Sequence, residues 1–236
     1  MKKYIGTKQI EAEPMTRGDA WGKHLLREKP STENFDDEGY HVRYEDGYES
    51  WSPKDVFEKA YKIAETPVDR MQIEAEEVNG RYVKLAIFID SGKMDEVVND
   101  IYNKCLLEMQ CYTMFDYIRL LDTRIQRMQG SDGAKVRKMN FGMAIMALKA
   151  GYPIRRSGWN GKGLMVFKQV PAHIESDVIP KMQSLPQSAK DLIIKGKGFI
   201  DYTSQCLIYN ENTGRADSWV PSISDVFADD WEIVLS

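Results

Sequence analysis

Cysteine is scarce in this chain: three in 236 residues, at positions 105, 111 and 206. The number is odd and no Cys-x-x-Cys pair occurs, which argues against a disulfide framework or a cysteine-rich zinc site and fits a reducing compartment. Long apolar runs are missing too. Nothing approaches the roughly 18 consecutive apolar residues of a membrane span, and the first residues, MKKYIGTKQIEAEP, lack the apolar core of a secretory signal. A cytoplasmic protein is expected. There is no basic excess either: 32 Lys+Arg stand against 36 Asp+Glu, a net charge of −4, which disfavours nucleic acid as a partner. Catalytic signatures are equally absent. No GxSxG, HExxH or GxxxxGK[ST] occurs, and the histidines at 24, 41 and 173 stand apart from one another. With no general base or metal cluster visible, a protein that is not an enzyme is favoured over a hydrolase, with no catalytic residues, no metal and no cofactor.

What is present falls into three textures. Residues 1–66 contain two β-prone runs around Asp46-Gly47, a favoured hairpin dipeptide. Ser52-Pro53-Lys54-Asp55 follows as a helix start, with Ser52 at the cap and Pro53 in the first helical position. Between 19 and 39 the chain reads as a polar loop with Trp21 and Leu25 as anchors. Residues 67–130 hold two long periodic stretches around Ser91-Gly92-Lys93. In the second, Leu107, Cys111, Met114, Ile118, Leu121, Ile125 and Met128 alternate steps of four and three, the seam of an antiparallel helical hairpin. Its apolar stripe is too wide for water and points to packing on itself and on another copy. GSDGAKVRK, residues 130–138, reads as a linker.

Residues 136–236 form the third segment, with 12 Lys+Arg against 10 Asp+Glu. Asn140 caps a helix whose face is Phe141, Ala144, Ile145 and Leu148, and Gly151 stops it. Strands are expected at Pro153–Arg156, Leu164–Val170, Ile200–Asn210, Ser218–Val220 and Trp231–Leu235, with a short helix after Pro186 and a capped turn from Ser222. Short connections make the sheet mostly antiparallel and the fold class α+β: a C-terminal antiparallel sheet with an N-terminal helix, preceded by the helical hairpin and a small β-plus-helix module. Within this segment IRRSGWNGKG, residues 154–163, packs two arginines, a tryptophan and three glycines into ten positions. Such glycines mark close backbone approach or positive φ.

Taken in order, MNFGMAIMALKAGYPIRRSGWNGKG, QSLPQSAKD and DSWVPSISDVFADDWEIV resemble the Thoeris anti-defence two family of phage proteins over residues 139–236. The middle segment more loosely resembles a helical-hairpin module of small phage proteins, and YEDGYESWSPKDVFEKAY a further phage module of no assigned activity. The family resemblance implies a sponge: a homo-oligomer, at its core a homotetramer with pockets between subunits, that binds a cyclic nucleotide immune signal, glycocyclic ADP-ribose, and in some members cyclic dinucleotides, without altering it. The effector that depletes NAD then stays off. Two stretches depart from the family pattern, Trp219-Val220-Pro221-Ser222 in place of Trp-Leu-Ala-Ser and Ile223-Ser224-Asp225 in place of Gln-Thr-Asp, and these bear on ligand preference.

The residues suit such a ligand. A purine stacks on an aromatic platform, a contribution of about 1–3 kcal/mol per base, which Trp159 or Trp219 can supply. Phosphates take guanidinium groups and open amides, here Arg155, Arg156, Lys162 and the backbone from Gly161 to Gly163, with the glycines admitting the phosphate edge. Ribose hydroxyls can be met by Asn160, Asp217 and Asp225. Ser222 completes the candidate ligand-binding set. A second reading stands beside each: Trp159 and Trp219 as core anchors, Lys162 as surface charge, Trp231 as core, Asp229-Asp230 as a turn device. Because Arg155 and Arg156 alternate on a strand, at most one faces a given pocket. From another class, the whole chain also reads as a protein-interaction adaptor with no small-molecule ligand.

Overall fold

In a computed structural model, residues 9–235 are described; KKYIGTKQIEAEP alternates in places like a strand, and its first part, KKYIGTK, lies outside them. The chain packs as two units, Met1–Ile73 and Glu74–Ser236. In the first, β1 (Ile10–Thr16), β2 (Glu38–Tyr44) and β3 (Glu49–Pro53) form an antiparallel sheet in that order. Gly47 turns the β2–β3 hairpin at φ 81°, as the Asp-Gly pair anticipates. The polar loop expected after β1 contains a helix instead: the Thr16 hydroxyl accepts the Asp19 amide and opens α1 (Arg17–Gly22), which buries Ala20. Six residues are too few to show a helical period, so the cap was its only signal. Ser52 belongs to β3 rather than capping a helix. Accordingly α2 (Lys54–Ala60) starts after Pro53, with no side-chain cap. Phe57 of α2 stacks on Tyr40 of β2 with ring centroids 4.1 Å apart, which seats the helix on the sheet.

Helix α3 (Pro67–Asp90) runs from one unit into the next. In the second unit its remainder is followed by Gly92 at φ 75°, the short α4 (Lys93–Val97) and α5 (Ile101–Met128), which is capped by Asp100. The hairpin closes through Tyr82 and Phe115, 5.6 Å apart, and through the Tyr117 hydroxyl, which donates to Glu74 at 2.5 Å. The expected seam is the inner face of α5: Leu121 is buried, and Leu107, Cys111, Met114, Ile118 and Ile125 are half-buried, while Met128 at the helix end is exposed.

Beyond the linker, the Asn140 side chain accepts the Met143 amide and opens α6 (Phe141–Lys149), and Gly151 at φ 91° follows its end. A five-stranded antiparallel sheet, in the order β10-β4-β5-β8-β9, comprises β4 (Ile154–Arg156), β5 (Leu164–Gln169), β8 (Gln205–Asn210), β9 (Arg215–Ser218) and β10 (Trp231–Ile233). The expected strand over Ile200–Asn210 is two. Its first part, β7 (Ile200–Tyr202), leaves the main sheet to pair with β6 (Ala172–Ile174), and the chain breaks at Thr203-Ser204. Likewise the strand expected around Trp219 ends at Ser218. Helix α7 (Gln187–Lys195) follows Pro186, and α8 (Ile223–Val226) follows Ser222. Helix α6 covers the sheet. Met143, Ala144, Ala147 and Leu148 from its inner face meet Ile154, Val166, Ala228 and Trp231, all buried. The fold is therefore α+β, with the arrangement of helix, hairpin and antiparallel sheet that the pattern of the sequence indicates.

Candidate functional site

The carboxylate of Asp225 draws together Arg156, Trp159 and Ser222 from among the residues singled out in the sequence. Ser222 and Asp225 form a reciprocal capping box at the start of α8: the Ser222 amide (3.0 Å) and hydroxyl (2.7 Å) donate to Asp225 Oδ2, and the Asp225 amide donates back to Ser222 Oγ. Asp225 Oδ1 accepts from Arg156 Nη1 at 3.0 Å and from the Trp159 indole N–H at 3.1 Å. Its backbone carbonyl accepts the Trp231 indole N–H at 3.0 Å. Asp225 is 7% exposed. Burial pushes its carboxyl upward, but the bonds from Ser222, Arg156 and Trp159 outweigh burial and hold it at about 2.

Arg156 is committed on both sides. Its Nε donates to Asp230 Oδ1 at 2.7 Å, while Nη1 also reaches the Ser224 carbonyl. The hydrogen bond to Asp230 leads in raising the guanidinium further above its already high value. Asp230, read from the sequence as part of a turn, also accepts the Gly158 amide at 2.8 Å. Burial raises its carboxyl and Arg156 and Gly158 lower it by more, so it stays below the usual carboxylate range. Arg155, one residue along β4, points to other partners, as strand alternation requires: Nε and Nη2 both donate to Glu232 Oε2 at 3.2 Å.

Three tryptophans meet edge to face beside this hub, with centroids 5.5 Å (Trp159–Trp231), 6.1 Å (Trp219–Trp231) and 6.5 Å (Trp159–Trp219). Trp231 is core. Trp159 and Trp219 are half-buried, packed on the core while part of each ring is still reached by solvent.

The glycines of IRRSGWNGKG are occupied by the protein itself. A Cβ on Gly158 would lie 2.6 Å from Asp230 Oδ2, so the missing side chain is what lets that carboxylate reach the loop amide. Gly163 combines φ 77° with Glu211 and Asn212 pressed against it, and Asn212 Nδ2 donates to the Lys162 carbonyl at 2.7 Å. Between them Asn160, Gly161 and Lys162 are exposed, and among the described residues their amides and the Lys162 ammonium meet no acceptor. Asp217 lies on the exposed edge strand β9, clasped by Arg215 Nε at 2.7 Å.

Of the ten candidates, then, Arg156, Trp159, Ser222 and Asp225 form one bonded cluster with Trp219 against it. Asn160, Gly161 and Lys162 form the adjoining loop, and Arg155 and Asp217 hold separate ion pairs. Asp230 and Glu232 were not among the candidates; only the charge of the two arginines hinted that carboxylates must face them. Among the described residues no group of His, Cys, Asp and Glu is placed to hold a metal, and His41 sits between Glu13 and Glu49, 3.1 Å from each.

Fold and cluster together define a two-layer α+β module whose buried charges are satisfied internally and whose glycine loop presents open amides beside half-exposed indoles. Residues 139–234 match the Thoeris anti-defense 2-like domain, and residues 65–127 match a second family, Sequestin. The chain is 33% identical over 102 residues to Thoeris anti-defense 2 of Bacillus phage SP01, an alignment that spans 41% of this chain and 96% of that protein. Through this segment the chain belongs to the Thoeris anti-defense 2-like family.

Proposed function

We propose that this protein is a phage anti-defence sponge, which binds glycocyclic ADP-ribose in its C-terminal module in the cytoplasm of the infected cell and withholds it intact from the Thoeris effector. The observation that carries the reading is the match to nearly the whole of Thoeris anti-defense 2, with the glycine loop and tryptophan cluster inside the matched segment. The chemistry is compatible. Because Arg156 is spent on two carboxylates, phosphate recognition falls to Lys162, the amides of Asn160 to Lys162 and the unbonded Nη1 of Arg155. The exposed parts of Trp159 and Trp219 offer the base or ribose a flat wall. Holding a ligand needs no positioned base, so we read the module as non-catalytic.

We place the site at a contact between copies in a homo-oligomer, a tetramer. Supporting this, Val220, Ile223 and Phe227 are each 81% exposed and stand on or beside α8, the element that carries Ser222 and Asp225. Apolar groups clustered this way mark interfaces. The test is calorimetry on the full-length protein with glycocyclic ADP-ribose, and in a second arm with cyclic dinucleotides, followed by heating and mass analysis of what is released. Micromolar or tighter binding with the signal recovered whole supports the sponge. A cleaved product, or no binding, overturns it. The adaptor reading draws on one observation, the exposure of Ile101 and Tyr112 on the hairpin at 82% and 75%. It gains if the signal does not bind and a protein does.

A further inference from the structure

Helix α5 is tied to the start of the C-terminal module. Arg119 Nη1 donates to the carbonyls of Arg137 and Lys138, and Asn140 Nδ2 donates to Asp116 at 2.8 Å. Beyond this clasp, toward the C-terminal end of α5, a cavity of about 320 Å³ opens between the helix, the linker and β10. It shares none of the candidate residues that surround Asp225 and the glycine loop.

Its walls are mostly apolar: Met139 is buried beneath it, Val136 and Ile233 are half-buried, and Leu235 stands at the rim. The polar groups are few and unevenly used. Glu232 is matched in charge by Arg155. Arg127 gives Nη1 to the carbonyls of Asp132 and Ala134, which satisfies hydrogen bonds without neutralising its charge. The ammonium of Lys135 and the hydroxyl of Tyr152 have no partner among the described residues. An apolar chamber with a phenol wall, two unneutralised cations and one spare hydroxyl is complementary to a flat apolar body with a single negative group. The volume lies at the low end of the roughly 300–1,000 Å³ of small-molecule sites, suited to one ring system rather than to a pyrophosphate-bridged ring.

We propose that this junction is a second small-ligand site, independent of the sponge reading, which takes a planar aromatic ring carrying one acidic group, phosphate or carboxylate. The ring lies between Tyr152 and the Val136–Met139–Ile233 wall, and the acid meets Lys135 and Arg127. The experiment titrates the full-length protein with adenosine monophosphate, with naphthoate and with inorganic phosphate, each by calorimetry, and repeats the series on Lys135→Glu and Tyr152→Ala. Both positions are exposed, so melting temperatures should hold and folding remain intact. Saturable binding of adenosine monophosphate or naphthoate, weakened by about tenfold or more in each variant, supports the site. Which of the two probes binds tells phosphate from carboxylate as the source. Glycocyclic ADP-ribose, titrated alongside, should be unaffected by either variant. The proposal is overturned if neither aromatic probe saturates, if inorganic phosphate alone binds as well, if the variants bind like the parent, or if Lys135→Glu removes the aromatic anion and the cyclic signal together.

Discussion

Asp225 is where most of the site's free energy should concentrate. Its two oxygens accept four hydrogen bonds, from the Ser222 amide and hydroxyl, Arg156 and Trp159. Replacement by alanine leaves Arg156 with one carboxylate instead of two and orphans the Trp159 indole N–H. Removing one partner of a buried, bonded pair costs about 3–5 kcal/mol; with Asp230 still in place, Asp225→Ala is expected near the lower end, read as a fall in the urea midpoint. The pH response has a definite sign. The folded carboxyl titrates at about 2, below its ordinary 3.8, so the stabilisation is present above pH 4 and is lost as pH falls from there toward 2. Urea titrations between pH 7 and pH 2.5 should show the parent losing more stability than Asp225→Asn across that window; parallel curves would contradict it. Trp159 separates two roles by a milder change. Trp159→Phe keeps an aromatic wall but loses the donor to a charged acceptor, for an expected loss of about 1.5–3 kcal/mol with signal binding weakened only slightly. Trp159→Ala should lose both.

Elements were legible where a cap and a period agreed. Asn140 and Gly151 bracket α6 in sequence and in structure. The four-and-three spacing of α5 gave its inner face directly. Where only one signal existed, the reading slipped. α1 has a cap and no period, and the apolar run over Ile200–Asn210 has the pattern of one strand but serves two sheets. The site was half legible for a related reason. Alternation on β4 told that Arg155 and Arg156 diverge, but their carboxylates lie 69 to 77 positions away, and no local rule names a partner at that distance. The glycine loop tests this account of close approach. Gly163→Ala must adopt φ 77° and displace Glu211 and Asn212; the side chains can move, the backbone conformation cannot. About 1–2 kcal/mol of destabilisation is expected, whereas Gly214→Ala, also at positive φ but with open space around it, should lose only the backbone part.

For the molecule entire, the question is what covers its exposed apolar groups. Two sets in the second unit stand out. On α5, Leu106 and Met109 border a groove of about 420 Å³ against Val78 and Arg81 of α3. Beside α8 lie Val220, Ile223 and Phe227. If copies associate through both, each set can be broken alone, because an exposed side chain contributes little to a lone protomer: surface changes stay within about 0.5 kcal/mol. Phe227→Glu, at a position 81% exposed, is expected to lower the mass seen by sedimentation, make the melting temperature insensitive to protein concentration, and weaken binding of glycocyclic ADP-ribose, since the contact it opens adjoins Ser222 and Asp225. Met109→Glu should lower the mass as well but leave binding intact, because the groove on the hairpin contains no candidate ligand residue. A parent that already sediments as a monomer would remove the shared-site geometry, and a Phe227→Glu monomer that binds the signal at full strength would place the whole pocket within one chain.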